Sequence, residues 1–179
     1  MTEQSDPERI GQVAREFAGL AIDKLADEQG VHAETVIAGV ARMAGTFLFR
    51  LFGVNFPDAK AGQAVLSEAA NERGPRLVNL LGTILVDAGI HPDLNNISDA
   101  SRKGHEPLLA FLETQRRLEP AFASVRERFG LSLPQAADAA ALATAMLIQQ
   151  TVRVLDPDLA FDIAVYSFIE GTKTVPAKV

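Results

Sequence analysis

Arg42, Thr46 and Arg50 follow one another at intervals of four, a spacing that puts them on a single slanted row if this stretch is helical. They border a wide apolar face made of Val36, Ile37, Val40, Met43, Ala44, Phe47, Leu48, Leu51 and Phe52. Two guanidinium groups at the rim of such a face can hold the carboxylate or phosphate head of an amphiphilic ligand. The plainer reading is that their stems cover apolar surface while their heads reach water or pair with acids on a neighbouring helix, and it is the favoured one.

The three histidines are His32, His91 and His105. His91 and His105 share the segment 89–106 with Asp93, Asp99 and Glu106, and imidazole with carboxylate is a ligand set for zinc, iron or manganese. Their spacing matches no metal motif. His105-Glu106-Pro107 does not continue as HExxH, and no ExxH pair of the di-iron type occurs. Solvated loop residues are the simpler account, so the expectation is no metal, no haem and no other cofactor. His91 and His105 stay, with Arg42, Thr46 and Arg50, as candidate ligand-binding residues.

Other chemistries lack their residues. There is no cysteine, no GxSxG turn for a serine nucleophile, and no glycine-rich phosphate cradle followed by lysine. Arg116, Arg117, Arg126 and Arg128 form a basic stretch, but Glu113, Glu119 and Glu127 interleave with them as on a solvated helix with local ion pairs. A net charge of -6 argues against a nucleic-acid footprint and against an acidic membrane surface. The polar start, Met1 to Asp6, has no secretory pattern, so the expected location is the cytoplasm; the Asn96-Ile97-Ser98 sequon carries no weight there. The stretches 139–152 and 77–86 are short for a bilayer, and no membrane association is expected.

What would position these residues is a set of helices. A chain of 179 residues, 47% hydrophobic and 22% charged, is expected to form one domain over 1–179, with flexible ends at about 1–5 and 172–179. Proline falls just inside predicted helix starts and glycine just beyond their ends. The first helix should run from Asp6-Pro7 to about Gln29, and the second from about Ala33 to Phe52 before Gly53. A third is predicted from Phe56-Pro57 to about Arg73, where Gly74-Pro75 should interrupt it, and a fourth from Pro75 to Ala88. Residues 89–106 lack a helical period, and so long a connection is usually functional or mobile. A helical pattern from Pro107 to Phe129 crosses Pro120, which should kink it or split it. Ser132 and Gln135 announce a capping box for an alanine-rich helix to Leu155, uncharged between Ala139 and Val152 and therefore expected at the centre. Asp156-Pro157 opens a last segment in which Phe161, Ile163, Val165 and Phe168 suit helix or strand; the start signal favours helix.

The fold class is thus all-α, a single-domain bundle of six or seven helices around a central Ala-rich helix. Nothing catalytic stands out. The favoured reading is a non-enzymatic protein that acts through self-association, most simply as a homodimer, or through a protein partner. The alternative is a helical pocket protein for a small apolar or amphiphilic ligand, and the third is an enzyme with its site in the 89–106 connection. The second helix is the first candidate for a dimer surface, because Phe47, Phe49 and Phe52 point over different arcs and one groove within the chain would not cover all three.

Overall fold

The computed structural model describes residues 6–52, 56–66, 68–94, 97 and 102–178, with no description of the side chains at 68–70. Met1–Ser5, the Gly53 stop, Asn96 and Ser98 of the sequon, Asp99 and Val179 lie outside the described residues. The architecture is all-helical: among the described residues there are six helices, α1 (Asp6–Leu25), α2 (Ala33–Phe52), α3 (Glu68–Asp87), α4 (Phe111–Arg128), α5 (Leu133–Thr151) and α6 (Pro157–Lys173).

α5 is central, as its lack of charge requires, and α2 shares the middle with it. Ala136, Ala137, Ala140, Ala141, Thr144 and Ala145 are buried, and the helix packs against α1, α2, α3 and α6. Its start is the expected capping box, with the Gln135 amide donating to Ser132 Oγ and the Ser132 amide donating to Gln135 Oε1 at 2.9 Å. Its end comes at Thr151, four residues before Leu155, which is buried in the turn that follows. α2 touches all five other helices. Its length and hydropathy would let it cross a bilayer, but most of it is buried within this chain.

α2 is enclosed all round because its neighbours come in on small residues. A β-carbon on Gly39 would stand 2.8 Å from Leu25 Cδ1 and 3.2 Å from Leu118 Cδ1, so side chains of α1 and α4 pack closely over this glycine. The three phenylalanines are covered by three different neighbours. Phe47 faces Phe17 of α1 with ring centroids 6.1 Å apart, Phe49 faces Phe56 at 6.2 Å, and the Arg73 guanidinium lies 5.2 Å over Phe52. The dimer surface anticipated on α2 is therefore interior. Phe17 also stacks on Phe122 of α4 at 4.0 Å, which joins three helices through one aromatic column.

Several boundaries besides the end of α5 differ from the sequence reading. α1 stops at Leu25, and Asp27 pairs with Gly30 in a tight turn where Gly30 takes a φ of 110°. Residues 56–66 are turns and an isolated bridge rather than a helix; Ala64 pairs with Thr174. α3 runs through Gly74-Pro75 without a break, because burial of Leu77, Leu81 and Leu85 outweighs one missing backbone bond, a loss of about 3 kcal/mol. Pro120 sits inside α4, one helix rather than the two that a split would give, and Leu118 and Phe122 beside it are buried.

The C-terminal tail, expected to be loose, is hydrogen-bonded into the body. The Gly62 amide donates to the Val175 carbonyl at 2.8 Å, the Val175 amide to Gln63 at 2.9 Å, and the Ala177 amide to Gln115 Oε1 at 2.9 Å. Pro176 is buried.

Candidate functional site

The structure separates the candidate residues into three places. Arg42, Thr46 and Arg50 do share a row on α2, but the row faces inward. Arg42 is 6% exposed; its Nε donates to Glu170 Oε2 of α6 at 2.7 Å, and its Nη1 donates to the Leu109 carbonyl at 2.7 Å and Thr114 Oγ1 at 3.0 Å. Arg50 grips Glu119 of α4 through both guanidinium arms and donates to the Ala177 carbonyl at 2.9 Å. Thr46 between them is fully buried, and its hydroxyl has no hydrogen-bond partner. The two arginines pair with acids on α6 and α4, the plainer of the two readings weighed from sequence. They do not converge on one ligand head.

His105 belongs to a second cluster, at the start of α2. Its Nδ1 donates to Glu34 Oε1 at 3.0 Å, while His32 Nε2 stands 3.4 Å from the other oxygen of the same carboxylate. Thr35 Oγ1 accepts from the Leu108 amide at 2.9 Å and is 2.8 Å from His32 Nδ1. The first turn of α2 thus holds the end of the long connection. Burial pushes the Glu34 carboxyl up, but the His105 hydrogen bond, its own backbone amide and the charges of His32 and His105 outweigh that, and it lies below its ordinary range. Among the described residues no group of three histidine, aspartate or glutamate side chains has the arrangement of a metal site.

Beside this cluster a cleft of about 140 Å³ opens between the connection and α6, lined by Arg102, His105 and Glu106 on one side and by Ile163, Tyr166 and Ser167 on the other, with Arg42 at its base. The Arg102 guanidinium lies over the Tyr166 ring, 3.7 Å from its centroid. Glu106 accepts twice from the Gly104 amide at 3.1 Å, which holds its carboxyl below the ordinary range.

His91 lines the third place, a groove along the outer face of α3. At one end is a hollow of about 290 Å³ with Asn71, Pro75, Ile169 and Lys173 in its walls. At the other is one of about 620 Å³ formed by Gly82, Val86, Asp87, His91, Leu94 and Ile97. Val78 and Asn79 line both, so the two hollows adjoin. Positions 71, 75, 78, 82 and 86 follow helical spacing, which makes one stripe of α3 the floor. Gly82 is buried in that floor, yet the place its β-carbon would take is empty. Val86, Leu94, Ile97 and Ile169 are exposed along the walls.

The connection contributes residues to two separate places, Arg102, His105 and Glu106 to the cleft and His91, Leu94 and Ile97 to the groove. Glu34, Thr35, Tyr166 and Ser167 were not singled out from sequence; they lie some sixty to seventy positions from the connection residues they meet, and no local pattern marks them. Compared with protein-family models, with curated proteins and with solved structures, the chain matches none.

Proposed function

We propose that this protein works by self-association, and that the groove along α3 receives the same groove of a second copy. The observation that carries this reading is the groove floored by α3 from Asn71 to Asp87, about 24 Å long at 1.5 Å per residue, with Pro75, Val78 and Val86 in its floor and the exposed Leu94, Ile97 and Ile169 in its walls. α2, with its wide apolar face, is already satisfied within the monomer, whereas Val86 of α3 and the neighbouring Leu94, Ile97 and Ile169 stay exposed. Charge favours a twofold pairing in particular. Lys173 stands at one end of the groove and Asp87 at the other, so two antiparallel copies set each lysine against the partner copy's aspartate. The empty space above Gly82 lets a second helix come close at the centre.

Light scattering coupled to size exclusion at micromolar concentration tests it. The expected mass is twice the 19.2 kDa of the chain, and Val86→Glu is expected to return it to 19.2 kDa with an unchanged far-ultraviolet spectrum. A wild-type mass of 19.2 kDa overturns the reading. One observation then favours a small amphiphile in the same place: the 620 Å³ hollow is within the range of small-molecule sites and has Thr83, Asp87 and His91 as polar groups on an apolar wall.

A further inference from the structure

Residues 173–177 are held to the body in the way a bound peptide is held. We propose that the channel they fill is a binding site for an extended segment of a partner protein, with the chain's own segment as its resident competitor. The holding bonds go to the backbone of the segment. The Val65 amide donates to the Lys173 carbonyl at 2.7 Å; the Gly62 amide donates to the Val175 carbonyl at 2.8 Å, and the Val175 amide to the Gln63 carbonyl at 2.9 Å. Further along, a side chain takes the part of a neighbouring strand. Gln115 Oε1 accepts from the Ala177 amide at 2.9 Å, Gln115 Nε2 donates to the Ala177 carbonyl at 3.2 Å, and Arg50 Nη2 donates to the same carbonyl at 2.9 Å. Glu119 accepts from both Gln115 and Arg50, so the two donors are fixed in place before a segment arrives. Pro176 has no amide to offer and stands between the two sets of bonds, where its ring favours an extended Val175.

Two observations make the resident segment exchangeable. Its side chains contribute little: from 174 to 178 only Pro176 is buried, and Lys178 is exposed. Another extended segment with proline at that place therefore makes the same bonds. The channel is also wider than what it holds. A hollow of about 230 Å³ lies beside Ala177 and Lys178, with Leu112 and Pro120 as its apolar wall. A segment in which proline is followed by an apolar residue larger than alanine fills more of that space, and so has an advantage over the resident one. A second copy of this chain is not that partner, because its own segment would give up in one channel the bonds it makes in the other. The site does not depend on pairing through the α3 groove.

Two amidated peptides with an N-terminal fluorophore test it, one with the sequence of residues 172–178 and one with leucine in place of its alanine. Each is titrated with the full chain and read by anisotropy. The resident segment competes at an effective concentration of about millimolar, so the wild-type chain is expected to bind the leucine peptide with an apparent affinity of about millimolar. Val175→Pro in the full chain removes the amide that donates to Gln63 and changes no residue of the channel wall. By freeing the site it is expected to tighten peptide binding about tenfold. The leucine peptide is expected to bind about tenfold more tightly than the alanine one through added apolar burial. Methylating the backbone nitrogen of the residue after proline, which removes the proton that Gln115 accepts, is expected to weaken binding about tenfold. Gln115→Leu, with an unchanged circular dichroism spectrum, is expected to weaken it at least as much. The proposal is overturned if the Val175→Pro chain shows no saturable binding or binds no more tightly than the wild type. Equal affinities of the leucine and alanine peptides, or of the methylated and unmethylated ones, overturn it as well.

Discussion

Gly45 of α2 and Gly171 of α6 meet so closely that a β-carbon added to Gly171 would lie 2.9 Å from Gly45 Cα, and one added to Gly45 would lie 2.5 Å from the Phe168 carbonyl oxygen. The obstacles are backbone atoms on both sides, so no side chain can turn away to make room. This contact sets how near α6 lies to α2, and therefore where Glu170 meets Arg42. Gly171→Ala is expected to destabilise the protein by about 1–3 kcal/mol, because the helices must part. Gly19→Ala in α1, where nothing lies within 4 Å of the added carbon, is the matched control and is expected to stabilise by about 0.5–1 kcal/mol. Urea denaturation midpoints of the two variants check both signs.

The Arg50–Glu119 pair carries a second expectation. The Glu119 side chain is 3% exposed and also accepts from Gln115 Nε2, so its charge has left water and depends on the cation. Arg50→Met leaves a buried carboxylate without its partner, and the expected loss is about 3 kcal/mol. Arg50→Met combined with Glu119→Leu is expected to recover much of that, because the penalty belongs to the orphaned charge rather than to the missing bridge. A double-mutant cycle in guanidinium chloride measures it. Equal losses in the single and the double variant would show that the lost bond to Ala177, not the charge, dominates.

Acid should loosen the start of α2. The Glu34 carboxyl lies below its ordinary range in the folded protein, so its contribution to stability is fully present above the unfolded value. That contribution is lost as pH falls through the lower, folded one. Stability measured by urea at pH 6, 5, 4 and 3 should therefore fall less steeply in Glu34→Gln than in the wild type. Parallel curves would mean that the carboxylate draws nothing from His105 and His32.

The fold class was legible because helix punctuation is local. Ser132 with Gln135 caps α5, and Asp156, accepting from the Asp158 and Leu159 amides, caps α6; these bonds span two or three residues, so the sequence around each start contains the whole interaction. The absence of charge from Ala139 to Thr151 was equally decisive, since a stretch of helix with no charged face has to be surrounded. Proline was misleading for a related reason. Its local cost is real, but Leu77, Leu81 and Leu85 are buried on α5 and its neighbours, and that gain is invisible in the run Gly74-Pro75.

Only the tertiary structure decided where the candidate residues point. The row Arg42, Thr46, Arg50 is a property of the sequence, but whether it faces water, a ligand or another helix depends on α4 and α6, whose acids Glu119 and Glu170 lie 69 and 128 positions away. The same holds for the tail, whose apparent looseness ends at backbone bonds to Gly62 and Gln63, and for the cleft, which Ser167 and His105 line from two different elements. Local bonds and the polarity of a helix surface are written in neighbouring residues. The partner of a buried charge or hydroxyl is chosen by packing, because desolvation makes each such group dependent on whatever the fold brings beside it.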